Sequence, residues 1–344
     1  MNIQFFTPKF ITNNNNRELK QNKYVQPSLK PLTFDTVQFT AKSDIAQKAK
    51  DVAKTKVFEF WNTDAKNFEE IVRLVESFKK PLEKFKWDLK RAMKNLVVNE
   101  AHPDNIIMPG ERGIKSRVKR DKEIAAKANS RQLFTIDQIT KMGDVGGARI
   151  VMRSASWDDT AKIFDALKDM IKQGYKIREV ENYRTTVKES YVSQKTLDKF
   201  EEYCIKHGQY PVVTNRSLPN SYSATHLTFE LPDGKYVELQ IMGRDLENVK
   251  EVEDFFYKNR CNKKFNPKYK IIQRVFDKYM PTLDEFQKET LSRYIKDSYE
   301  YARKIPPRSA KIKFNPSKEF LPFPYSLPQE LSFENIHRMI EKCQ

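Results

Sequence analysis

Two acidic residues, Asp144 and Glu238, stand beside predicted strands and carry the kind of side chain that binds a divalent cation. Asp144 is followed by two glycines and an apolar run, and Glu238 lies on the second strand of a predicted hairpin. Carboxylate oxygens suit Mg²⁺, which keeps positions open for water and phosphate, and a carboxylate beside the metal can take a proton from an attacking hydroxyl. The pair alone also fits an ordinary charged surface, so both interpretations stay open at this point.

The hairpin that carries Glu238 is predicted by the alternation of its residues and by its turn. Apolar residues occupy every second position on both strands: Leu227, Phe229 and Leu231, then Val237, Leu239 and Ile241. A period of two puts each set on one face of a strand. The sequence Pro232-Asp233-Gly234 is typical of a type I turn followed by a left-handed glycine, which pairs Val237 with Phe229.

That register gathers the polar residues of the hairpin on the opposite face. Glu238 is expected beside Thr228, and Gln240 beside His226. Because polar groups on an inner strand are costly unless they find partners, this face indicates a binding surface.

The composition favours a helix-rich protein with an anionic partner. The chain has 344 residues, 9 glycines and 32% charged residues, and its net charge of +17 points to nucleotides, RNA or acidic membrane surfaces. A basic surface with no partner is the plainer alternative. Cys204, Cys261 and Cys343 are too few and too scattered for a disulfide framework or a zinc site. Because no apolar run has membrane length, we expect a cytoplasmic protein without a membrane partner.

Four segments are expected along the chain. They are a disordered N-terminal segment (1–43), a helical N-terminal region (44–110), a central domain (111–260) and a helical and extended C-terminal region (261–344). A helix is expected from Ser43 onward, at the boundary of the first two segments. A further apolar stripe runs from Phe68 to Leu96, where Pro81 predicts a kink or the start of a second helix. From about Pro306 the sequence is rich in proline and lysine and predicts an extended arm on the surface.

Capping residues and strand patterns predict the elements of the central and C-terminal regions. Thr135 and Ser156 each predict the start of a helix, and Thr282 with Glu285 forms a predicted capping box. The stretch Tyr175–Thr185 reads as a strand. Strand, helix, strand and hairpin, bracketed by helices, predict a mixed sheet in an α+β or α/β domain.

Three motifs occur in an order that one enzyme family shares. They are Asp144-Val-Gly-Gly-Ala-Arg149, Ser221-Tyr-Ser-Ala-Thr-His226 and Val237-Glu-Leu-Gln-Ile241. These resemble the D-x-x-G-x-R, G-Y-x-S-x-H and x-E-x-Q-I-R blocks of the RelA/SpoT nucleotide pyrophosphokinase, or alarmone synthetase, domain. Upstream, Arg117, Lys119 and Lys127 resemble the family's R-x-K…I…K segment. The resemblance spans about Arg112 to Lys258.

The resemblance implies a fold, a reaction and a set of site residues. The fold is α+β, a nucleotidyltransferase-like mixed β-sheet flanked by helices, with helical N- and C-terminal extensions. The reaction moves the β,γ-pyrophosphate of ATP to the 3′-hydroxyl of a guanosine nucleotide. By resemblance, Asp144 and Glu238 hold Mg²⁺, Glu238 also activates the hydroxyl, and Tyr222 stacks on the guanine. The other nucleotide-binding residues implied are Arg117, Lys119, Lys127 and Arg149 on the ATP phosphates, and His226 and Gln240 around the acceptor.

The sequence departs from the family pattern mainly near the acceptor. Ser221 stands where the family has glycine, Ala224 and Glu123 stand where it has serine, and Met242-Gly243 replaces Arg-Thr. The metal and phosphate residues are present, so the transfer is expected, whereas the acceptor stays open. No His-Asp doublet occurs in the sequence, so the hydrolase half of bifunctional family members is not expected.

Three functions therefore remain. The first is synthesis of guanosine tetra- or pentaphosphate from ATP and GDP or GTP. The second keeps the chemistry and uses the 3′ end of tRNA as acceptor, as toxic members of the family do. The basic tail of this chain, Lys258 to Lys270 and Arg303 to Lys318, would suit an RNA backbone. The third is an inactive RNA-binding or regulatory module, against which the two retained acids argue. A homo-oligomer is compatible with each.

Overall fold

The computed structural model describes residues 60–153, 156–183, 192–261, 265–306 and 309–343. The expectations of a disordered segment and of a helix from Ser43 onward concern residues before Phe60, so they lie outside the described residues. Within the described ranges, no helix combines the length and apolarity needed to cross a bilayer.

A mixed six-stranded sheet lies at the centre of the described residues, in the order β1-β2-β6-β5-β3-β4. The strands are β1 Ile114–Val118, β2 Gly146–Met152, β3 Lys176–Tyr183, β4 Val212–Arg216, β5 Ala224–Glu230 and β6 Tyr236–Gly243. β2 runs parallel to β6 and β3 runs parallel to β4, while the other neighbours are antiparallel. The predicted α+β fold with a mixed sheet flanked by helices is confirmed. The edge strands β1 and β4 were not predicted.

Helices precede, connect and follow the strands. They are α1 Lys66–Ala92, α2 Asp121–Ser130, α3 Ile136–Thr140, α4 Trp157–Lys172, α5 Gln194–Lys206, α6 Arg244–Arg260, α7 Lys270–Tyr279, α8 Glu285–Lys304, α9 Pro316–Glu319 and α10 Phe333–Lys342. Thr135 and Ser156 cap α3 and α4 as predicted.

Helix α1 covers the apolar face of the sheet and does not divide at Pro81. Phe78 and Phe85, on either side of the proline, are fully buried, and the Phe85 ring meets Phe229 of β5 at 5.2 Å between centroids. A Cβ on Gly146 would lie 3.0 Å from the Phe78 ring, so the glycine allows the helix to approach β2 closely. Packing on both sides of Pro81 outweighs the cost of about 3 kcal/mol that proline imposes on a helix interior.

The hairpin β5–β6 has the register that its turn predicts. Phe229 pairs with Val237, and Gly234 in the connecting turn has φ +81°. The pairing puts Glu238 beside Thr228 on the polar face. The prediction from turn chemistry is therefore confirmed.

Two predictions for the C-terminal region need correction. Helix α8 is capped by Asp284, whose side chain accepts from the backbone of Gln287 in a capping box, rather than by Thr282 with Glu285. The segment after Pro306 is only partly an extended arm, because it ends in helix α10, where Phe333 is fully buried and stacks on Phe256 of α6. The proline content before α10 predicted an extended segment, but the residues after it form a short amphipathic helix that belongs to the core.

Candidate active site

The polar face of the sheet carries the candidate functional side chains in rows. Residues that pair across neighbouring strands share a face. One row is Arg117, Gly147, Glu238 and Thr228, and the next is Arg149, Gln240, His226 and Glu181. Because Gly147 has no side chain, the sheet face between Arg117 and Glu238 is left open. Helix α6 borders this face, since its Glu247 bonds to Arg149 and to Lys115.

Asp144, in the loop before β2, is held by two lysines. Lys119, just after β1, and Lys127 of α2 both donate to its Oδ2 atom. Its Oδ1 atom is buried and has no hydrogen-bond partner. Burial would raise the pKa of the Asp144 carboxyl, but the two ammonium groups outweigh it and hold the pKa below its usual range. Asp144 is therefore an anion with one oxygen unused.

The cluster of Lys119, Asp144 and Lys127 has one more cation than it has anions. Burial lowers the pKa of Lys127, and the nearby charge of Lys119 lowers it further, against the opposing effect of Asp144. The side chain of Arg117 on β1 is exposed and forms no hydrogen bond or ion pair with side chains of the other described residues. A phosphate group placed here would relieve the excess positive charge.

Glu238 is held by a histidine and an amide rather than by a salt bridge to lysine. Its Oε1 atom lies 3.2 Å from Nδ1 of His226, and its Oε2 atom accepts from Nε2 of Gln240 at 2.6 Å. Burial opposes ionisation, yet the hydrogen bond and the charge of His226, together with Gln240 and the charge of Lys119, lower the pKa of Glu238 to about 2. Both oxygens are thus fixed in place on an ionised group.

Gln240 links Glu238 to Arg149. The Gln240 Oε1 atom accepts from Nε and Nη2 of Arg149 at 3.2 and 2.9 Å. The remaining terminal nitrogen, Nη1, donates to Glu247 at 3.0 Å. These bonds leave the Arg149 side chain 22% exposed, with its guanidinium oriented across the polar face.

Tyr222 is nearly buried, with 7% of its surface exposed. Its hydroxyl lies 2.9 Å from Nε2 of His226. The two nitrogens of the His226 ring thus join Tyr222 on one side to Glu238 on the other. The Tyr222 ring meets the rings of Tyr183 and Tyr299 edge-on at 5.7 and 5.9 Å. Tyr222 therefore both lines the site and holds His226.

A cavity of about 520 Å³ opens beside His226 and Gln240, the two partners of Glu238. It is lined by Tyr183, Leu218, Pro219, Asn220, Tyr222, His226, Gln240, Lys250, Glu253, Tyr257, Arg260 and Ser292. The structure thus brings together Tyr222, His226 and Gln240, the three residues that the motifs placed around the acceptor.

Sequence reasoning missed the wall that α6 gives to this cavity. Lys250, Glu253, Tyr257 and Arg260 follow one another by three and four residues, the spacing of one helix face. Tyr183 has the same alternation phase as Glu181 on β3. The sequence shows both periodicities, but only the fold shows that this face of α6 and the polar face of β3 line the same cavity.

The expected site residues form two adjacent groups. Lys119, Lys127 and Asp144 form one, and Tyr222, His226, Gln240 and Glu238 form the other. Arg117 and Arg149 lie in the sheet rows beside them. The charge of Lys119 acts on both Asp144 and Glu238, so the groups adjoin.

The donor set fits Mg²⁺ as a nucleotide enzyme would use it. Among the described residues, no three His, Cys, Asp or Glu side chains cluster as an all-protein metal site. Mg²⁺ typically binds through one or two carboxylates together with substrate phosphates and water. The buried, unpartnered Oδ1 atom of Asp144 is a ligand of the required kind.

Comparisons with known proteins point to one group of solved structures. The chain is similar to small alarmone synthetase 1 from Bacillus subtilis, with 17% identity over 66% of this chain and 91% of that chain and a TM-score of 0.38. The same synthetase bound to its product pppGpp gives 17% identity, coverage of 67% and 88%, and a TM-score of 0.37. A GTP pyrophosphokinase family protein from Streptococcus pneumoniae has 15% identity over 66% of this chain and 86% of that chain, with a TM-score of 0.38. No protein-family model and no curated protein matches the chain.

Proposed function

We propose that this protein transfers the β,γ-pyrophosphate of ATP to the 3′-hydroxyl of GDP or GTP, giving guanosine tetra- or pentaphosphate. One observation carries the proposal: a cation-rich cluster around Asp144 adjoins an ionised Glu238, whose partners His226 and Gln240 line a cavity of about 520 Å³. A phosphoryl donor and a nucleoside acceptor would meet between the two groups. The order of the sequence motifs supports the same reaction.

The donor side consists of cations that neutralise phosphate charge. Lys119 and Lys127 carry more charge than Asp144 balances, and Arg117 is exposed beside them. Phosphoryl transfer depends mainly on positioning and on neutralising the charge that spreads over the phosphate oxygens. We assign these three residues to the ATP phosphates, with Arg149 extending the positive surface toward the acceptor.

The acceptor side consists of groups that orient one hydroxyl. Glu238 is ionised and held on both oxygens, so it can accept a hydrogen bond from the attacking 3′-hydroxyl in a fixed direction. Tyr222, His226 and Gln240 line the cavity that would hold the nucleoside. Asp144, through its unpartnered oxygen, and Glu238 would hold Mg²⁺, which would supply positive charge to the phosphates and lower the pKa of the hydroxyl.

The test is incubation with ATP labelled in its γ-phosphate, with GDP, GTP and tRNA supplied separately. We expect label in a guanosine nucleotide, at a position that a 3′-specific phosphatase removes. Glu238→Gln serves as the matched inactive control. Label in tRNA alone, or in no acceptor, would contradict the proposal.

A tRNA acceptor is the second candidate, and the basic C-terminal region favours it. Lys268 and Lys270, at the start of α7, are exposed, and Lys311 and Lys313 are exposed further along. Exposed lysines suit a nucleic-acid backbone. An inactive regulatory module is less well supported, because it would have no use for a buried carboxylate oxygen without a partner.

A further inference from the structure

Ser221 has a backbone conformation that serine rarely adopts. Its φ is +61°, in the left-handed region, and it is 2% exposed. Residues other than glycine persist there only when surrounding contacts hold them. The residue after it is Tyr222, so the conformation of Ser221 sets the direction in which Tyr222 enters the site.

Helix α8 supplies the contacts that hold this conformation. The Ser221 hydroxyl donates to Oε1 of Glu300 at 3.1 Å, and the Ser221 carbonyl accepts from Nη1 of Arg303 at 2.8 Å. The same Arg303 nitrogen donates to the hydroxyl of Ser223 at 3.1 Å. Tyr299, one position before Glu300, meets the Tyr222 ring edge-on. Helix α8 thus contacts Ser221, Tyr222 and Ser223, three consecutive residues.

Two contacts connect Tyr222, the residue after Ser221, to the carboxylate of Glu238. Tyr222 bonds to Nε2 of His226 at 2.9 Å, and Nδ1 of the same ring lies 3.2 Å from Glu238. Each of these side chains is largely buried and bonded to the next, so a shift of the backbone at Ser221 should also shift Glu238.

We propose that Glu300 and Arg303 are positioning residues, through which helix α8 sets the orientation of Glu238. They touch neither nucleotide in the arrangement proposed above and act through Ser221, Tyr222 and His226. This inference rests on the proposed function for its kinetic test, and it has a second test that needs no activity.

The kinetic test compares Arg303→Ala and Glu300→Gln with Arg293→Ala, a control on the same helix whose arginine, among the described residues, forms an exposed pair with Glu289 and no other. Misplacing a reacting group by about 1 Å can cost about a hundredfold in rate, so we expect kcat to fall about tenfold to a hundredfold in Arg303→Ala and less in Glu300→Gln. The KM for ATP should stay unchanged, because the donor cluster is not part of this chain of bonds. Unchanged kcat in a folded Arg303→Ala protein would overturn the proposal.

Rescue by glycine separates positioning from a general loss of stability. Glycine adopts positive φ freely, so Ser221→Gly should have a kcat close to that of wild type and should not need the contacts of Glu300 and Arg303 to hold its backbone. The double variant Ser221→Gly with Arg303→Ala should therefore recover most of the kcat lost in Arg303→Ala. A general structural role for Arg303 predicts no recovery, and that result would count against the inference.

The second test follows the ring nitrogens of the histidines by NMR in the full chain. Resonances of His226 are identified by their loss in His226→Asn. We expect Arg303→Ala to shift them, Ser221→Gly to restore them in the double variant, and Arg293→Ala to leave them in place. If wild type transfers no pyrophosphate, the proposed function fails while this test still decides the inference. Unmoved His226 resonances in Arg303→Ala would overturn it.

Discussion

The two carboxylates of the site have opposite surroundings, although the sequence presents them as a pair. Asp144 is bound by Lys119 and Lys127 through one oxygen, and its other oxygen has no partner. Glu238 is bound through both oxygens, by His226 and Gln240. Both groups are ionised, but by different means: direct lysine contacts for Asp144, and mainly a histidine and an amide for Glu238.

The difference indicates a division of roles. Lysine side chains are long and flexible, so the ion pairs of Asp144 can rearrange when phosphates arrive and its free oxygen can take a cation. Glu238 is fixed by short side chains on the sheet, so its direction is set before any substrate binds. Asp144 is thus suited to charge compensation, and Glu238 to orientation.

The largest expected effect tests this division directly. Asp144→Asn and Glu238→Gln should each reduce transfer at least about a hundredfold, because transition-state charge left uncompensated costs a few kcal/mol. If the roles differ, Asp144→Asn should also raise the KM for ATP, whereas Glu238→Gln should lower kcat with little change in that KM. Steady-state kinetics with ATP varied provide the measurement. Identical changes in both variants would remove the distinction between the two acids.

A second prediction concerns stability at acid pH. The folded pKa of Glu238 is about 2, below its ordinary value of 4.5, so its contribution to stability is complete above pH 4.5 and is lost as the pH falls toward 2. The shift corresponds to a contribution of about 3 kcal/mol at most. Wild type should therefore lose more unfolding free energy than Glu238→Gln between pH 5 and pH 2. Urea titrations at several pH values measure the difference, and parallel curves would show that the network around Glu238 contributes no such stability.

How far the sequence predicts this molecule depends on how local each feature is. The register of β5–β6 was predictable, because Gly234 and its neighbours determine the turn and the turn determines the pairing. Thr135 and Ser156 were predictable for the same reason. At α8 two overlapping windows both fit a capping box, and the local sequence does not choose between them. The fold does, because Thr282 belongs to a preceding turn and its hydroxyl donates to Tyr279.

The site was predictable only where a motif is continuous in sequence. Asp144, Glu238 and the residues of their blocks were found in this way. The cavity residues of α6 were not found, because Glu253 and Arg260 reach the cavity only when α6 packs beside β6. The contacts of Glu300 and Arg303 with Ser221 join residues about eighty positions apart, and no local pattern announces them.

A third, smaller effect is expected at Tyr222, and it sharpens the account of the acceptor side. Tyr222→Ala should weaken acceptor kcat/KM by about 1–3 kcal/mol, the usual contribution of an aromatic ring to binding a base, with little effect on the KM for ATP. Tyr222→Phe keeps the ring and removes only the bond to His226. A defect shared by both variants would assign the effect to the hydroxyl, and a defect in Tyr222→Ala alone would assign it to the ring. A rise confined to the KM for ATP would place Tyr222 on the donor side.

The smallest expected effect concerns the basic region and separates the two acceptors. Lys268 and Lys270 are exposed, and Lys263 and Lys264 lie just before them, outside the described residues. If the acceptor is GDP or GTP, reversing these four charges should leave the acceptor KM within about twofold of wild type, as surface changes remote from a site usually do. If the acceptor is tRNA, each backbone phosphate that these lysines neutralise makes the logarithm of affinity fall with that of salt, by about 0.7 to 0.9 per contact. The KM would then rise steeply with salt in wild type, and less steeply in the reversed variant. We expect the flat response, because the cations that the proposed site needs, Lys119 and Lys127 among them, already lie in the cluster around Asp144. A steep salt dependence that the four reversals abolish would show instead that the acceptor is a nucleic acid.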